Sequence, residues 1–444
     1  MRTYEKYIDS GIDWVGLVPS NWRQTQLKYI SSISKGRKAK EDFQDFKEGM
    51  ITYLSMEYLR SQTESPSFVF ADDPNIILVE EQDLLILWDG SKAGEIVKAK
   101  QGALSSTMGK IHVESDLFDL NFLTYYLKNA ERYIQANTVG MGIPHVSGEV
   151  LRTLYVIFPK KEEQAQIAQY LDHQTAIIDQ LIQQKEKLIE LLKEKRQAVI
   201  NEAVTKGLNP NTKMKDSGIE WLGEVPENWK VLKFRYLIDV LTDFTANGSF
   251  ADLAKNVTYL DEGYSRLIRL TDLRENLMND GIYVSEESHN YLTKSSLYGH
   301  EVLLANVGAY AGLAWKVPIL TEPSTLGPNM FLLKFYNDLN NDFAYFSLIS
   351  EYLSSQLKMK AISSAQPKLN KEDVRSCLFV LPTLEEQNQI VEYLLNVNQK
   401  FDDVLLQEAI LIDKLKEYRQ SIISEAVTGK IDVRDWQPNK QQVA

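Results

Sequence analysis

Cysteine and histidine are scarce in this 444-residue chain: one Cys and five His. Cys377 alone can form neither an internal disulfide nor a thiolate metal cluster. His112, His145, His173, His289 and His300 lack the close pairing of a helical zinc motif, so no metal is expected. No window approaches the roughly 18 uncharged apolar residues of a membrane span. The first 25 residues carry Arg2, Glu5, Lys6, Asp9 and Asp13 in place of a secretory apolar core, so a soluble, cytoplasmic protein is expected.

The signatures of catalysis are missing as well. There is no GxxxxGKS/T phosphate loop, no GxSxG elbow and no HExxH. No Glu is followed two positions later by Lys and no Pro-Asp dipeptide occurs, which removes the simplest sequence form of a metal-dependent nuclease. Neither Asn-Pro-Pro-aromatic nor Asp-Pro-Pro-Tyr is present to hold a flipped base, and no Gly-rich strand-turn-helix cradle awaits a nucleotide-like cofactor. These absences predict a non-catalytic chain without a cofactor of its own. A formal charge of -12 excludes a uniformly basic coat but permits local basic patches.

What is present is a duplication. Residues 10–22 (SGIDWVGLVPSNW) and 217–229 (SGIEWLGEVPENW) share nine identities in 13 positions at an offset of 207. Residues 159–171 (PKKEEQAQIAQYL) and 382–394 (PTLEEQNQIVEYL) share eight of 13, and 196–205 and 419–428 share seven of ten, both at an offset of 223. Each half therefore runs from an entry motif through a variable body to a tail of constant length. This layout suits a pseudo-twofold, and its repeats are too few and its period too long for a solenoid.

Both tails are predicted as long helices. Pro followed by Glu-Glu-Gln suits a first turn, where a missing amide costs nothing and acidic groups face the positive dipole end. No Pro or Gly intervenes before Gly207 or Gly429. Alternating steps of four and three place Ile167, Leu171, Ile178, Leu181, Lys185, Leu188, Leu192 and Val199 on one seam, and Ile390, Leu394, Phe401, Glu408, Leu411, Leu415 and Ile422 on the other. An antiparallel coiled coil about 60 to 70 Å long is expected, with Lys185 and Glu408 near one another at its middle, helping to set register. Strands are expected at 84–88, 110–113, 302–307 and 329–335, and helices at 121–134 and 342–359. Trp14, Trp22, Trp221 and Trp229 are read as anchors for the entry segments.

The SGIxWxGxVPxNW entry and the Pro-x-x-Glu-Glu-Gln-x-Gln-Ile helix opening, each present twice, resemble the specificity subunit of bacterial type I restriction-modification systems. The resemblance covers nearly the whole chain. It implies an α+β protein: two target recognition domains (1–158 and 208–381), two conserved spacer helices (159–207 and 382–430) and a C-terminal tail (431–444). It further implies double-stranded DNA as ligand, an asymmetric bipartite target, and docking of two methyltransferase subunits on the helices. Restriction subunits, ATP-dependent translocase and endonuclease, complete the assembly, and S-adenosylmethionine and ATP would sit on those partners.

Four loops recur at matching places and are the candidate DNA contacts. The first carries Lys35, Arg37, Lys38 and Lys40, suited to phosphates, against the polar Thr245 and Asn247. The second offers Asp89, Ser91 and Lys92 against Asn306 and Tyr310 to base edges, with Gly allowing close backbone approach to the duplex. The third has Ser105, Ser106 and Thr107 against Ser324, Thr325 and Asn329. The fourth has His145 and Ser147 against Gln366, Lys368 and Asn370. A plain hairpin turn is the competing reading of each loop. A coiled-coil scaffold or DNA-mimicking inhibitor competes for the whole chain, and the cations at 35–40 run against a mimic.

Overall fold

The computed structural model describes residues 2–60, 65–140, 142–219, 222–361 and 367–438. Trp221 lies outside them. The chain divides into two compact units, Met1–Glu186 with Ala409–Ala444, and Lys187–Glu408. Helices Lys161–Lys206 and Leu384–Val427 each contribute to both units. The compact units thus follow a different division from the five segments read in the sequence: each is a body plus part of both helices.

In the first unit the entry hairpin pairs Tyr7–Asp9 with Leu17–Pro19, and Arg23–Gln26 pairs with Tyr155–Phe158. An antiparallel sheet runs Ser31–Lys35, Met108–Val113, Leu84–Leu87, Ile96–Lys98. A second sheet is mixed, with Met50–Leu54 parallel to Gly102–Leu104. The fully buried run Leu84–Leu87 explains its own strand: it faces core on both sides, and polar alternation would leave unpaired groups there. Helix Leu120–Ala136 packs Phe122, Leu123, Tyr126, Leu127, Ala130 and Ile134 into the same core as Ile167, Leu171 and Ile422.

The second unit repeats this plan. Met214–Asp216 pairs with Glu224–Pro226, and Lys230–Lys233 with Leu378–Leu381. Its antiparallel sheet runs Ile238–Asp243, Met330–Phe335, Val302–Ala305, Ala314–Lys316, and its mixed sheet sets Ser265–Ile268 parallel to Ser324–Leu326. One expectation changes. The helix read over 342–359 is broken into Asn341–Ile349 and Glu351–Ala361 by extended backbone at Ser350. The break is satisfied from the long helix: Gln197 Nε2 donates to Ile349 O (3.0 Å), and Asn201 Oδ1 accepts from Glu351 N (2.7 Å). Tertiary partners for the freed backbone groups make the break tolerable.

The helix openings work harder than dipole complementarity requires. Glu163 Oε1 accepts from the Trp22 indole (3.1 Å), and Glu386 Oε2 from that of Trp229 (2.9 Å). Trp22 and Trp229 are buried, as anchors should be, and Trp14 stacks on Tyr133. The adjacent Gln is fully buried in both copies. Gln164 accepts from Asp119 N (2.9 Å) and donates to Leu117 O (2.9 Å) and Pro159 O (3.0 Å). Gln387 does the same with Asn340 N (2.7 Å), Asp338 O (3.0 Å) and Pro382 O (3.1 Å). This amide therefore ties each long helix to the loop that starts its body helix.

Within each unit the long helices run antiparallel, with Ile178 and Ile422 in one core and Ile200 and Ile390 in the other. The seam departs from the expected ladder. Ile167, Leu171, Ile178, Ile390, Leu394 and Ile422 are buried, and Leu188, Leu192, Val199, Phe401 and Leu415 are half-buried. Leu181 and Leu411 are exposed, while their neighbours Ile182 and Ile412 turn inward. A strict 3.5-residue ladder drifts about 20° per heptad from a straight helix, so its facing position moves by one residue over a few turns. Lys185 and Glu408 are each half-buried.

Candidate nucleic-acid interface

In the first body the four loops converge. Strand Ser31–Lys35 ends beside the loop after Leu84–Leu87, and Lys35 Nζ lies 2.9 Å from Asp89 Oδ2. His145, from the fourth loop, places Nδ1 2.6 Å from Asp89 Oδ1. Burial alone would raise the Asp89 carboxyl, but hydrogen bonds and charge from Lys35 and His145 outweigh it and hold it below the usual carboxylate range. The third loop joins through backbone: Thr107 O accepts from Trp88 N (2.7 Å) and Asp89 N (3.2 Å). Loops one and three cross closely, since a Cβ on Gly36 would stand 2.0 Å from Ser105 O.

Around this knot Arg37, Lys38 and Lys40 are exposed, as are Ser91 and Lys92. Arg37 and Lys38 make no ion pair among the described residues. They are free to meet phosphates. Ser105 turns inward against Thr107 Oγ1 (3.1 Å), the Ser106 amide is held by the Tyr53 hydroxyl (3.1 Å), and only Thr107 of the three is exposed.

The second body gathers its candidates in one cleft of about 500 Å³ lined by Thr245, Asn306, Asn329, Lys368 and Asn370. Asp243, Phe250, Val307 and Lys371 are among its other lining residues, and Lys371 Nζ lies 3.3 Å from Asp243 Oδ2. Asn306 Oδ1 has no hydrogen-bond partner among the described residues. Tyr310 is half-buried, with the Arg274 guanidinium 4.7 Å above its ring. Gln366 lies outside the described residues.

Several candidates have their polar groups engaged within the fold. Ser324 and Thr325 are buried in a central strand, where Thr325 Oγ1 bonds Ser295 O (3.2 Å). Asn247 uses its amide on Ser295 Oγ (2.8 Å), Phe244 O (3.2 Å) and Lys294 N (3.1 Å). Ser147 and Asn370 cap the short helices Gly148–Thr153 and Lys371–Arg375, accepting from Val150 N (3.3 Å) and Asp373 N (2.9 Å). Small polar side chains are as suited to cap a turn as to read a base, and the sequence does not separate the two uses. The glycines also divide. Gly90 and Gly308 sit in open loops with positive φ, whereas a Cβ on Gly94 or Gly312 would press on the body helix, at 2.9 Å from Ile134 and 3.2 Å from Leu357.

Phe250, Arg274 and Lys371 were not among the sequence candidates. Arg274 ends a five-residue helix with no periodic signal. Lys371 does follow Asn370 directly, and that adjacency was its one visible mark.

The loop surface is thus built twice with different side chains at its tips. Comparison with known proteins agrees with the duplication. The family described as type I restriction modification DNA specificity domain matches twice, over residues 19–191 and 226–409. The MjaVIII specificity subunit of Methanocaldococcus jannaschii is 30% identical over 429 residues, covering 94% of this chain and 95% of that one. The EcoBI specificity subunit of Escherichia coli is 22% identical, covering 97% and 90%. Two solved structures share the fold at 16% identity. One, described as the structural basis of complex assembly and conformational transition of the type I restriction-modification system, has a TM-score of 0.70 over 93% of this chain and 99% of that one. The other, the HsdS subunit of Thermoanaerobacter tengcongensis, has a TM-score of 0.52 over 95% and 100%. With both bodies and the openings of both long helices matched, this chain belongs to the type I restriction modification DNA specificity family.

Proposed function

We propose that the chain is the DNA-reading subunit of a type I restriction-modification complex, non-catalytic itself. Each body reads one half of an asymmetric, bipartite target in double-stranded DNA. The long helices dock two methyltransferase subunits, and restriction subunits join that assembly. In this reading S-adenosylmethionine and ATP belong to the partners and the protein acts in the cytoplasm. No helix among the described residues is long and apolar enough to cross a membrane.

The observation that carries the reading is the same loop surface on a duplicated frame with dissimilar tips: a Lys35, Asp89 and His145 knot in one body, an Asn306 and Lys368 cleft in the other. Similar frames present the loops alike, and different tips select different bases. Most of the affinity would come from the assembled complex, because the basic patches are small on a chain of net charge -12.

The test is to purify the chain with its methyltransferase subunits, select from random duplex DNA and sequence what is retained. Two unlike constant segments separated by a gap of fixed length are expected. A palindromic motif, or no enrichment by an intact complex, would overturn the reading.

A further inference from the structure

The bridge joining the second and fourth loops occupies the same place in both bodies and carries opposite chemistry. Backbone pairing sets Asp89 opposite His145 in the first body and Val307 opposite Lys368 in the second. The flanking bonds match one for one. Gly90 N donates to Pro144 O (3.0 Å) and Val146 N to Trp88 O (2.9 Å), while Gly308 N donates to Pro367 O and Leu369 N to Asn306 O (both 2.8 Å). Asp89 therefore corresponds to Val307, and His145 to Lys368.

In the first body the bridge ends in a carboxylate. Lys35 and His145 hold Asp89 from two sides, which leaves its side chain 19% exposed and its rotamer determined. Two carboxylate oxygens offer about four lone-pair sites, so acceptor capacity remains after both contacts are made. In the second body Val307 cannot neutralise Lys368. That ammonium is exposed on the wall of the cleft that also holds the orphan Asn306 Oδ1 and the exposed Asn329.

We propose that this bridge sets base choice in each half-site, Asp89 accepting from the exocyclic amine of cytosine or adenine and Lys368 donating to O6 and N7 of guanine. The inference rests on the DNA-reading function proposed above. In the major groove a carboxylate complements an amine donor and an ammonium complements guanine's paired acceptors. Asp89 against guanine O6 or thymine O4 would set acceptor against acceptor, and Lys368 against an amine would set donor against donor. A well-placed contact of this kind discriminates about 10- to 100-fold. Lys35 and His145 are positioning residues here, since they act on the base through Asp89.

The experiment uses the full chain with its methyltransferase subunits and selection from random duplex DNA, comparing wild type with Asp89→Asn, Val307→Asp and, as a phosphate-contact control, Lys38→Ala. Asp89→Asn keeps the shape and replaces an acceptor with a donor. It should change preference at one position of one half-site about tenfold or more, with the other half-site unaltered. Val307→Asp places a carboxylate beside Lys368 and should erase a guanine preference in the opposite half-site. Lys38→Ala should weaken all sequences alike. Unchanged preferences in both variants, or a loss uniform over all sequences, overturn the proposal, and a change in one variant alone overturns the assignment for the other body. Should wild type select no sequence, it is the DNA-reading function that fails. Val307→Asp is a solvent-side change that keeps the question open to measurement even if Asp89→Asn folds poorly.

Discussion

Arg419 grips Asp179 through two N–H···O bonds, 2.8 Å from Nε and 3.1 Å from Nη2, and Arg196 makes the equivalent pair with Asp402 through one bond from Nη1 at 2.7 Å. Arg196 and Arg419 stand 223 residues apart, and so do Asp179 and Asp402. Each unit thus pins its own pair of antiparallel helix segments with the same ion pair. The planar guanidinium suits both arrangements, two bonds to Asp179 from Arg419 and one each to Asp402 and Asn398 from Arg196, which an ammonium would not replace.

These pairs are partly exposed, so solvent screening keeps their worth small. Arg419→Ala should cost the first unit about 0.5–1 kcal/mol, with a coupling to Asp179→Ala of the same order in a double-mutant cycle, shrinking at high salt. Arg196→Ala should cost more, about 1–2 kcal/mol, because Arg196 Nε also satisfies the buried Asn398 Oδ1 at 2.7 Å. Urea titration of the single and double variants measures both.

The buried amides at the helix openings should matter more. Gln164→Ala or Gln387→Ala each removes three hydrogen bonds to backbone groups, one of them buried and two part-buried, and should cost about 1–3 kcal/mol. Gln164→Glu should be at least as damaging, because it removes both donors and buries a charge. A denaturation midpoint within error of wild type for any of the three would show that these bonds are readily replaced by water.

A methyl group on Gly36 would collide with Ser105 O at the crossing of the first and third loops. Gly36→Ala should destabilise the first unit by about 1–3 kcal/mol. It should also weaken DNA binding by the complex, because Lys35 and the cations beyond it are carried on that crossing. Calorimetry and a DNA-retention assay on the same preparation separate the two effects.

Glu131 supplies a pH dependence. Burial pushes its carboxyl up to about 7, only partly offset by the hydrogen bond from Ile96 N. A carboxyl raised above its unfolded value adds stability that is fully present below about pH 4.5 and is lost as pH rises through about 7. Glu131→Gln keeps an acceptor for Ile96 N without the charge. It should therefore raise the melting temperature at pH 8 relative to wild type and leave it nearly unchanged at pH 4.5, a difference read directly from melting curves at the two pH values.

Arg37 and Lys38 are exposed. Arg37→Ala and Lys38→Ala should each lower affinity of the complex for all DNA sequences and reduce the slope of log affinity against log salt by about 1. An unaltered slope would remove that cation from the phosphate contacts.

Local pattern was enough to determine the duplication, the two long helices, their antiparallel run and the central strands, because each is written in spacing: constant register over the tails, unbroken apolar runs in the strands, Trp and Pro at fixed offsets. Only tertiary structure decided which side of a helix meets its partner, so that Ile412 in place of Leu411 faces inward, and where the helix after Asn340 breaks, since Gln197 and Asn201 must be there to receive the freed groups. It also sorted the polar loop residues: Asp89 joins Lys35 and His145 across the 54 and 56 residues that separate them, while Ser147, Asn247 and Asn370 serve the backbone and Ser324 and Thr325 the core. The physical reason is one of range. Periodicity reports what neighbours along the chain share, whereas a polar side chain acquires its role from groups that only the folded backbone brings within about 3 Å.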